Sequence, residues 1–227
     1  MASIVKVDQI QNADGTVEYL NAGSIKNASL HSSVTGGSGI TALGTVASGT
    51  LGSSVTFPAG HIIQVKHGFF NGITDGSGTT PTQITNLSVS ITPNHASNKI
   101  LISVNVMMIP QTNSHCGILL YKNGSEITGA TNSNPDSSSN RVHYFLTTGY
   151  HSASGTTSHQ QLMIDRLSGS YEDTAGSTNA TTYAVYARGR EGSHAYYINR
   201  CQNDSSQGDD NAVARGTSSL TVMEIQA

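Results

Sequence analysis

The 227 residues of this chain are enough for one sizeable domain and a smaller extension. Only 11% are charged, 36% are hydrophobic and glycine occurs 24 times, a composition that suits β strands and tight turns and argues against a helical bundle. The formal net charge of -3 creates no basic field, so nucleic acid is not expected as a partner. No apolar run approaches the roughly 18 residues that span a bilayer, and residues 1–10 lack the features of a signal peptide, so neither membrane insertion nor export is expected.

Residues 1–22 are predicted to form a small β hairpin. Two alternating segments flank a turn at residues 12–15, with Val5 and Val7 on one face of the first and Val17 and Tyr19 on one face of the second. Two strands of this size bury too little surface to be stable alone. The hairpin is therefore expected to dock on its own downstream domain, on sister copies or on another protein.

Residues 23–60 consist mainly of small residues. Their apolar residues recur at intervals of three to five: Ile40, Leu43, Val46, Leu51 and Val55. One chain cannot make a core from so few, whereas three chains wound about a common axis could turn them inward, with glycine allowing close approach of the backbones. A flexible Gly/Ser linker is the alternative. The regular recurrence favours an intertwined trimeric stalk.

Residues 61–227 are predicted to form a C-terminal β domain around one central strand, residues 99–109. The alternate positions of that strand are apolar, which predicts one wholly buried face: Ile100, Ile102, Val104, Val106 and Met108. Residues 86–92 alternate in the same way, with Leu87, Val89 and Ile91 inward. Pro110 is expected to end the central strand.

Turn chemistry and alternation place the remaining strands. Asn123 and Gly124 lie between two strand-like runs, residues 117–122 and 125–129, and predict a tight hairpin because both turn residues need positive φ. Residues 71–81 read as a turn-rich stretch and 131–140 as a polar loop. Further strands are predicted at residues 61–67, 142–150, 160–167, 182–188, 195–200 and 220–225. These eight to ten strands without a helix predict an all-β fold, an antiparallel β-sandwich or jelly roll, with the last strand buried.

Several stretches together resemble tail-fibre or other appendage proteins of tailed bacteriophages, particularly marine phages of cyanobacteria and similar hosts. They are ASIVKVDQIQ, GTVASGTLGSSVTFPAGHIIQV, TPTQITNLSVSITPNHASNKILISVNV and SSLTVMEI. The resemblance covers both ends and most of the chain up to residue 106. It implies a homotrimer on the virion, assembled in the host cytoplasm. Its N-terminal region would join other tail or adaptor proteins, and its C-terminal β domain would face a host glycan or protein.

The sequence offers no motif for a catalytic site, metal or cofactor. Acid residues near the expected outer loops do not follow the paired arrangement of a glycosidase: Asp165, Glu172, Asp173 and Glu191. No Gly-x-Ser-x-Gly segment supports a serine hydrolase. His61 and His67 would lie about 20 Å apart on one strand and cannot share an ion within a chain. Cys116 and Cys201 read as two reduced, buried thiols in preference to a disulfide.

A binding role is the favoured interpretation. Sugars are held by aromatic faces and by polar groups on their hydroxyls, and tyrosine and arginine supply both. The candidate receptor-binding residues are Tyr171, in an expected loop, with Arg188, Arg190, Tyr196 and Tyr197. Arg188 and Arg190 flank Gly189 at an expected strand end, where recognition sites commonly lie. For Tyr183 and Tyr186, packing between the sheets is favoured over binding.

Three hypotheses follow. The first is a non-enzymatic, homotrimeric phage fibre or fibre tip whose C-terminal sandwich contacts the host surface. The second is a head or tail decoration protein without receptor binding. The third is a depolymerase of surface polysaccharide. Binding to intact host cells separates the first two.

Overall fold

A computed structural model describes residues 57–131, 142–152, 164–206 and 214–227. Within those ranges the chain forms eleven strands and two short 3-10 segments, Thr128–Ala130 and Gln202–Ser206. The strands are β1 (Ile62–Phe70), β2 (Thr74–Ser77), β3 (Thr82–Ile91), β4 (Lys99–Pro110), β5 (Cys116–Lys122), β6 (Ser125–Glu126), β7 (Leu146–Thr147), β8 (Asp165–Thr174), β9 (Thr181–Gly189), β10 (Ala195–Ile198) and β11 (Ser218–Ile225). The predicted hairpin (1–22), nearly all of the predicted stalk (23–60) and all but the first residue of the predicted loop at 131–140 lie outside the described residues.

The strands form two antiparallel sheets. Sheet A has the order β1-β11-β4-β10-β2, and β8 also pairs with β4. Sheet B has the order β3-β9-β5-β6, and β7 also pairs with β5. Residues from both sheets share one apolar core, so the predicted all-β antiparallel sandwich is confirmed. In the described part of the chain no helix is long and apolar enough to cross a membrane.

The central strand of sheet A is β4, as predicted. Its inward residues Ile100, Ile102 and Met108 are at most 1% exposed, whereas its outward residues Leu101 and Met107 are half-buried. Antiparallel partners on both sides, β11 and β8, explain why almost no backbone of β4 is free. Alternation of period two is therefore a reliable guide here because one face of the strand is fully buried.

The Asn-Gly hairpin is also confirmed. Asn123 has φ 51° and Gly124 has φ 79°, and Lys122 pairs with Ser125 across the turn. Positive φ at both central residues matches the right-handed twist of the flanking strands. The second strand of the hairpin, predicted to reach residue 129, ends at Glu126, because residues 128–130 turn into a 3-10 segment.

The C-terminal strand β11 lies between β1 and β4, which confirms that the end of the chain is buried in a sheet. One end of it is fixed by Glu224, which is 0% exposed. The Glu224 carboxylate accepts hydrogen bonds from Gln64 Nε2 at 2.6 Å, from the Asn94 backbone N–H at 2.7 Å and from Asn98 Nδ2 at 2.6 Å. These bonds tie the last strand to β1 and to the β3–β4 turn.

Three local predictions were wrong. The strand predicted at 142–150 is reduced to β7. Of the strand predicted at 160–167, residues 160–163 lie outside the described residues, and the described strand runs from Asp165 to Thr174. The sequence does not indicate the second half of β8 because its inward positions are not all large: Gly169 lies against Leu146, which fills the space of the missing side chain. The stretch 71–81 contains β2, whose Gly76 lies under the ring of Tyr196.

Both cysteines are free and buried, as predicted. Burial raises the pKa of the Cys116 thiol well above its ordinary value, with a smaller opposing effect of the hydrogen bond to Thr148. The thiol is therefore protonated and behaves as a small core side chain.

Candidate binding surface

Two of the five predicted receptor-binding residues lie in or against the core. Tyr196 is 3% exposed and belongs to the core cluster. Tyr171 was predicted in a loop, but it lies in β8 opposite the buried Ile102 and packs on the core. A residue paired directly with an inward residue points inward as well. Tyr196 is therefore too buried to present its ring to a receptor, and the ring of Tyr171 is partly covered.

Tyr197 points to the other side of β10, since its neighbours Tyr196 and Ile198 are both buried. The guanidinium of Arg200 lies 4.8 Å from the centre of its ring, within the range of a cation–π contact. Arg200 is also 3.6 Å from Asp75 Oδ1. Arg200 Nε is buried and has no hydrogen-bond partner among the described residues, whereas the rest of its side chain is held by Tyr197 and Asp75.

Arg188 and Arg190 lie together at the end of β9, as the sequence predicted. Arg188 is directly opposite Gly117 of β5. A side chain added at Gly117 would place its Cβ 2.5 Å from Cδ1 of Tyr144, so the Tyr144 ring lies over Gly117 and occupies that space. Arg188 and Tyr144 are therefore neighbours on the outer face of sheet B. We call this group, with Arg190 and His194, the donor cluster.

Three buried polar atoms of the donor cluster have no hydrogen-bond partner within the described ranges: Tyr144 Oη, Arg188 Nε and His194 Nδ1. The nearest approach of His194 Nδ1 to Glu191 is 3.7 Å, which is too long for a hydrogen bond. Each such atom costs about 1 to 3 kcal/mol of desolvation while it is unpaired. Buried groups that remain unpaired in a native protein call for an explanation, and a bound ligand is one.

The charge of the donor cluster comes from its two arginines. Burial raises the pKa of Tyr144 to about 12, although the positive charges of Arg188 and Arg190 lower it, so the phenol stays a donor at neutral pH. His115, whose ring meets the Tyr144 ring edge-on at 5.9 Å, has its pKa lowered by burial and then by Arg190, while Glu191 opposes the shift. The histidine is therefore neutral at neutral pH, and the arginines carry the charge.

An open pocket adjoins the donor cluster. It has a volume of about 410 Å³ and is lined by residues 147–151 and 165–167, between the end of β7 and the beginning of β8. Tyr150, which is 56% exposed, lines the pocket and lies 5.7 Å from the guanidinium of Arg190. Deeper in, His151 Nε2 donates to Asp165 Oδ2 at 3.0 Å. The pocket therefore combines an exposed aromatic ring, a carboxylate and nearby guanidinium groups.

A stacked pair of tyrosines extends the outer face of sheet B. The rings of Tyr121 and Tyr186 lie 3.8 Å apart at 21°, and the Tyr186 hydroxyl is 3.4 Å from Gln83 Oε1. Packing of Tyr186 between the sheets was therefore a wrong prediction, whereas Tyr183 is in the core at 1% exposed. The alternation of residues along β9 predicts the outward orientation of Tyr186, because Tyr186 and Arg188 alternate with the inward Val185 and Ala187.

Two of the four candidate acids are far apart, and the other two are engaged in ion pairs. Asp165 and Asp173 lie at opposite ends of β8, about 26 Å apart at about 3.3 Å per residue. Glu172 pairs with Lys99 at 3.1 Å and Glu191 pairs with Arg190 at 3.0 Å. Asp173 accepts hydrogen bonds from Lys122 and from Tyr183. A pair of carboxylates flanking one glycosidic bond would need a separation below about 10 Å.

Among the described residues there is no group of three His, Cys, Asp or Glu side chains placed to hold a metal ion. His67 Nδ1 lies 2.9 Å from Thr221 Oγ1 on the adjacent strand. The chain matches no protein-family model and no curated protein. Function must therefore be argued from the residues themselves.

Proposed function

We propose that this chain is a structural protein of a phage virion, a homotrimeric tail-fibre or fibre-tip subunit that attaches to the host cell surface. The observation that carries the binding role is the outer face of sheet B, where exposed Tyr150 and the unpaired donors Tyr144 Oη and Arg188 Nε lie at one end of the sandwich. Aromatic faces beside unpaired polar groups suit recognition of a hydroxyl-rich surface polymer. The resemblance of the N-terminal and central stretches to appendage proteins supports the virion assignment.

The partner copies are expected to pack against the first strand of the sandwich. Ile62, Val65 and Phe69 of β1 are 57%, 53% and 52% exposed, although large apolar side chains rarely cluster in contact with water. The outward positions that face these residues on β1 and β11 are uncharged: Val65, His67, Phe69, Met223, Thr221 and Ser219. Farther along the same face, on β4 and β8, Lys99 pairs with Glu172 and Arg166 donates to Asn105. The part of the face nearest β1 can therefore meet copies of itself without burying like charges.

The position of β1 in the sequence supports this choice of partner. The strand follows directly on the Gly/Ser-rich segment that is too poor in apolar residues to form a core alone. Copies held together by that segment would present their β1 strands to one another. We therefore propose a second and a third copy of the chain as the occupants of this face.

Light scattering and cell binding test the proposal together. The full chain should have about three times the mass of its 23.7 kDa monomer and should label intact cells of at least one member of a panel of marine bacteria that includes cyanobacteria. A stable folded monomer would contradict the trimeric appendage. A trimer that labels no cell in the panel would favour the decoration protein over the receptor-binding subunit.

A further inference from the structure

The donor cluster lacks an acceptor. Among the described residues, the hydroxyl of Tyr144, which is 7% exposed, has no hydrogen-bond partner, and the buried Nε of Arg188 has none either. Both groups donate at neutral pH, and a guanidinium cannot accept a hydrogen bond at all. The missing partner must therefore supply acceptor oxygens.

The charges around Arg188 also indicate a ligand with acceptor oxygens. Glu191 is the nearby carboxylate that the structure shows in contact with this group, and it is engaged by Arg190 Nε at 3.0 Å. No ion pair links Arg188 to any acid within the described ranges. A guanidinium with an unpaired Nε is suited to a carboxylate or a sulfate, whose oxygens accept charge-assisted hydrogen bonds.

The residues around the donor cluster indicate what kind of molecule carries the acceptor oxygens. The exposed ring of Tyr150 lies against Arg190 at the mouth of the pocket of about 410 Å³, a size typical of small-molecule sites. Within the pocket, Asp165 can accept hydrogen bonds and the hydroxyls of Thr147 and Thr148 can donate or accept them. An aromatic face with mixed polar groups fits a sugar ring and its hydroxyls.

We propose that the donor cluster and the adjoining pocket bind an acidic saccharide, with its carboxylate or sulfate group on Tyr144 and Arg188 and its ring against Tyr150. This inference rests on the proposed host-binding function and names the chemistry of the receptor. Both donor atoms are buried in the free protein, so the side chains that cover them move aside when the anion completes their hydrogen bonds. The sugar ring supplies the contact with the aromatic face.

An array of oligosaccharides tests the proposal, carrying uronic acid and sulfated sugars beside the methyl esters and desulfated forms of the same compounds. The full chain should bind acidic members and lose about tenfold or more in affinity for the neutral counterparts, because a charge-assisted hydrogen bond is lost. Arg188→Gln should weaken binding by a similar factor. Lys99→Gln, which removes an equal charge from an exposed ion pair on sheet A, should leave binding unchanged.

Two further measurements separate loss of binding from loss of folding. Tyr144→Phe keeps the ring over Gly117 and removes only the buried, unpaired hydroxyl, so its Tm should be equal to or above that of the parent while its affinity falls. Sodium acetate and sodium sulfate, compared with sodium chloride at equal ionic strength, should raise the Tm of the parent more than that of Arg188→Gln, because both proteins share the general stabilisation by excluded salts. Equal affinity for acidic and neutral sugars, or an unchanged affinity of Arg188→Gln, would overturn the inference.

The proposed function can survive that failure. A trimer that labels host cells but binds no acidic saccharide on the array refutes the ligand class alone. A monomer that labels no cells refutes the appendage assignment, whatever the array shows. Binding of free sulfate as tightly as any sulfated sugar would refute the saccharide and leave only an anion site.

Discussion

Glu224 is the residue whose substitution tests the fold most sharply. Its carboxylate is fully buried in β11 and accepts hydrogen bonds from Gln64, Asn94 and Asn98. In Glu224→Gln, one carboxylate oxygen becomes an amide that faces Gln64 Nε2, so that two donors meet. Gln64 cannot turn its amide around without penalty, because the same Nε2 also donates to the Thr92 carbonyl at 2.6 Å.

The expected loss of stability follows from these contacts. One hydrogen bond to a charged group is lost and one donor is left unpaired, while the cost of burying a charge disappears, so the net loss is about 1 to 3 kcal/mol. For a domain of this size that corresponds to a fall in Tm of about 2 to 12 °C. Glu224→Ala leaves three donors without an acceptor and should lose more.

Thermal unfolding followed by circular dichroism at one fixed protein concentration measures the effect, since association also shifts Tm. Glu172→Gln is the matched control, because that carboxylate is 56% exposed in a surface ion pair and should change stability by less than about 1 kcal/mol. A Glu224→Gln protein as stable as the parent would refute the reasoning. It would mean that burial of the charge costs as much as the hydrogen bond that is lost in the variant.

Three further predictions concern the surface, the partner copies and the core. Gly117→Ala should displace Tyr144, because the new Cβ would lie 2.5 Å from the Leu146 carbonyl oxygen and from the tyrosine ring. The Tm should fall by a few degrees, and the affinity for the saccharide should fall as well. Gly124→Ala is the control: its new Cβ lies in open space, so the affinity should not change. The pair Val65→Ser and Phe69→Ser should lower the mass seen by light scattering while leaving the β circular dichroism spectrum intact, and an unchanged trimer would exclude this face. Cys116 should resist a thiol reagent at mildly alkaline pH until the protein unfolds, because burial raises its pKa and leaves almost no thiolate; rapid modification of the folded protein would contradict the structure.

The predictable part of the fold rests on two kinds of local signal. β4 was found because its alternate residues are all large and apolar, and the turn at Asn123 and Gly124 because only a few residues adopt positive φ easily. β8 was only partly found, since Gly169 replaces an inward side chain where Leu146 fills the gap. Where a residue distant in the sequence fills a core position of a strand, the strand's own sequence shows no clear alternation of apolar and polar residues.

The site was predictable only in its arginines. Arg188 and Arg190 flank the end of β9, and a strand end is visible in the sequence. The position of Tyr144 depends on the absence of a side chain at Gly117, a relation across the sheet that no local pattern records. Tyr171 and Tyr196 were misjudged because residue type alone does not tell which face of a strand a tyrosine occupies.

Binding of the full chain to intact cells, measured by flow cytometry with fluorescent label, tests the central claim most directly. The parent protein and Lys99→Gln should label at least one strain of the marine panel equally, and Arg188→Gln and Tyr150→Ala should label it about tenfold or more weakly, because both remove contacts from the outer face of sheet B. Failure of the parent to label any strain, or equal labelling by all four proteins, would contradict a receptor-binding role for this surface.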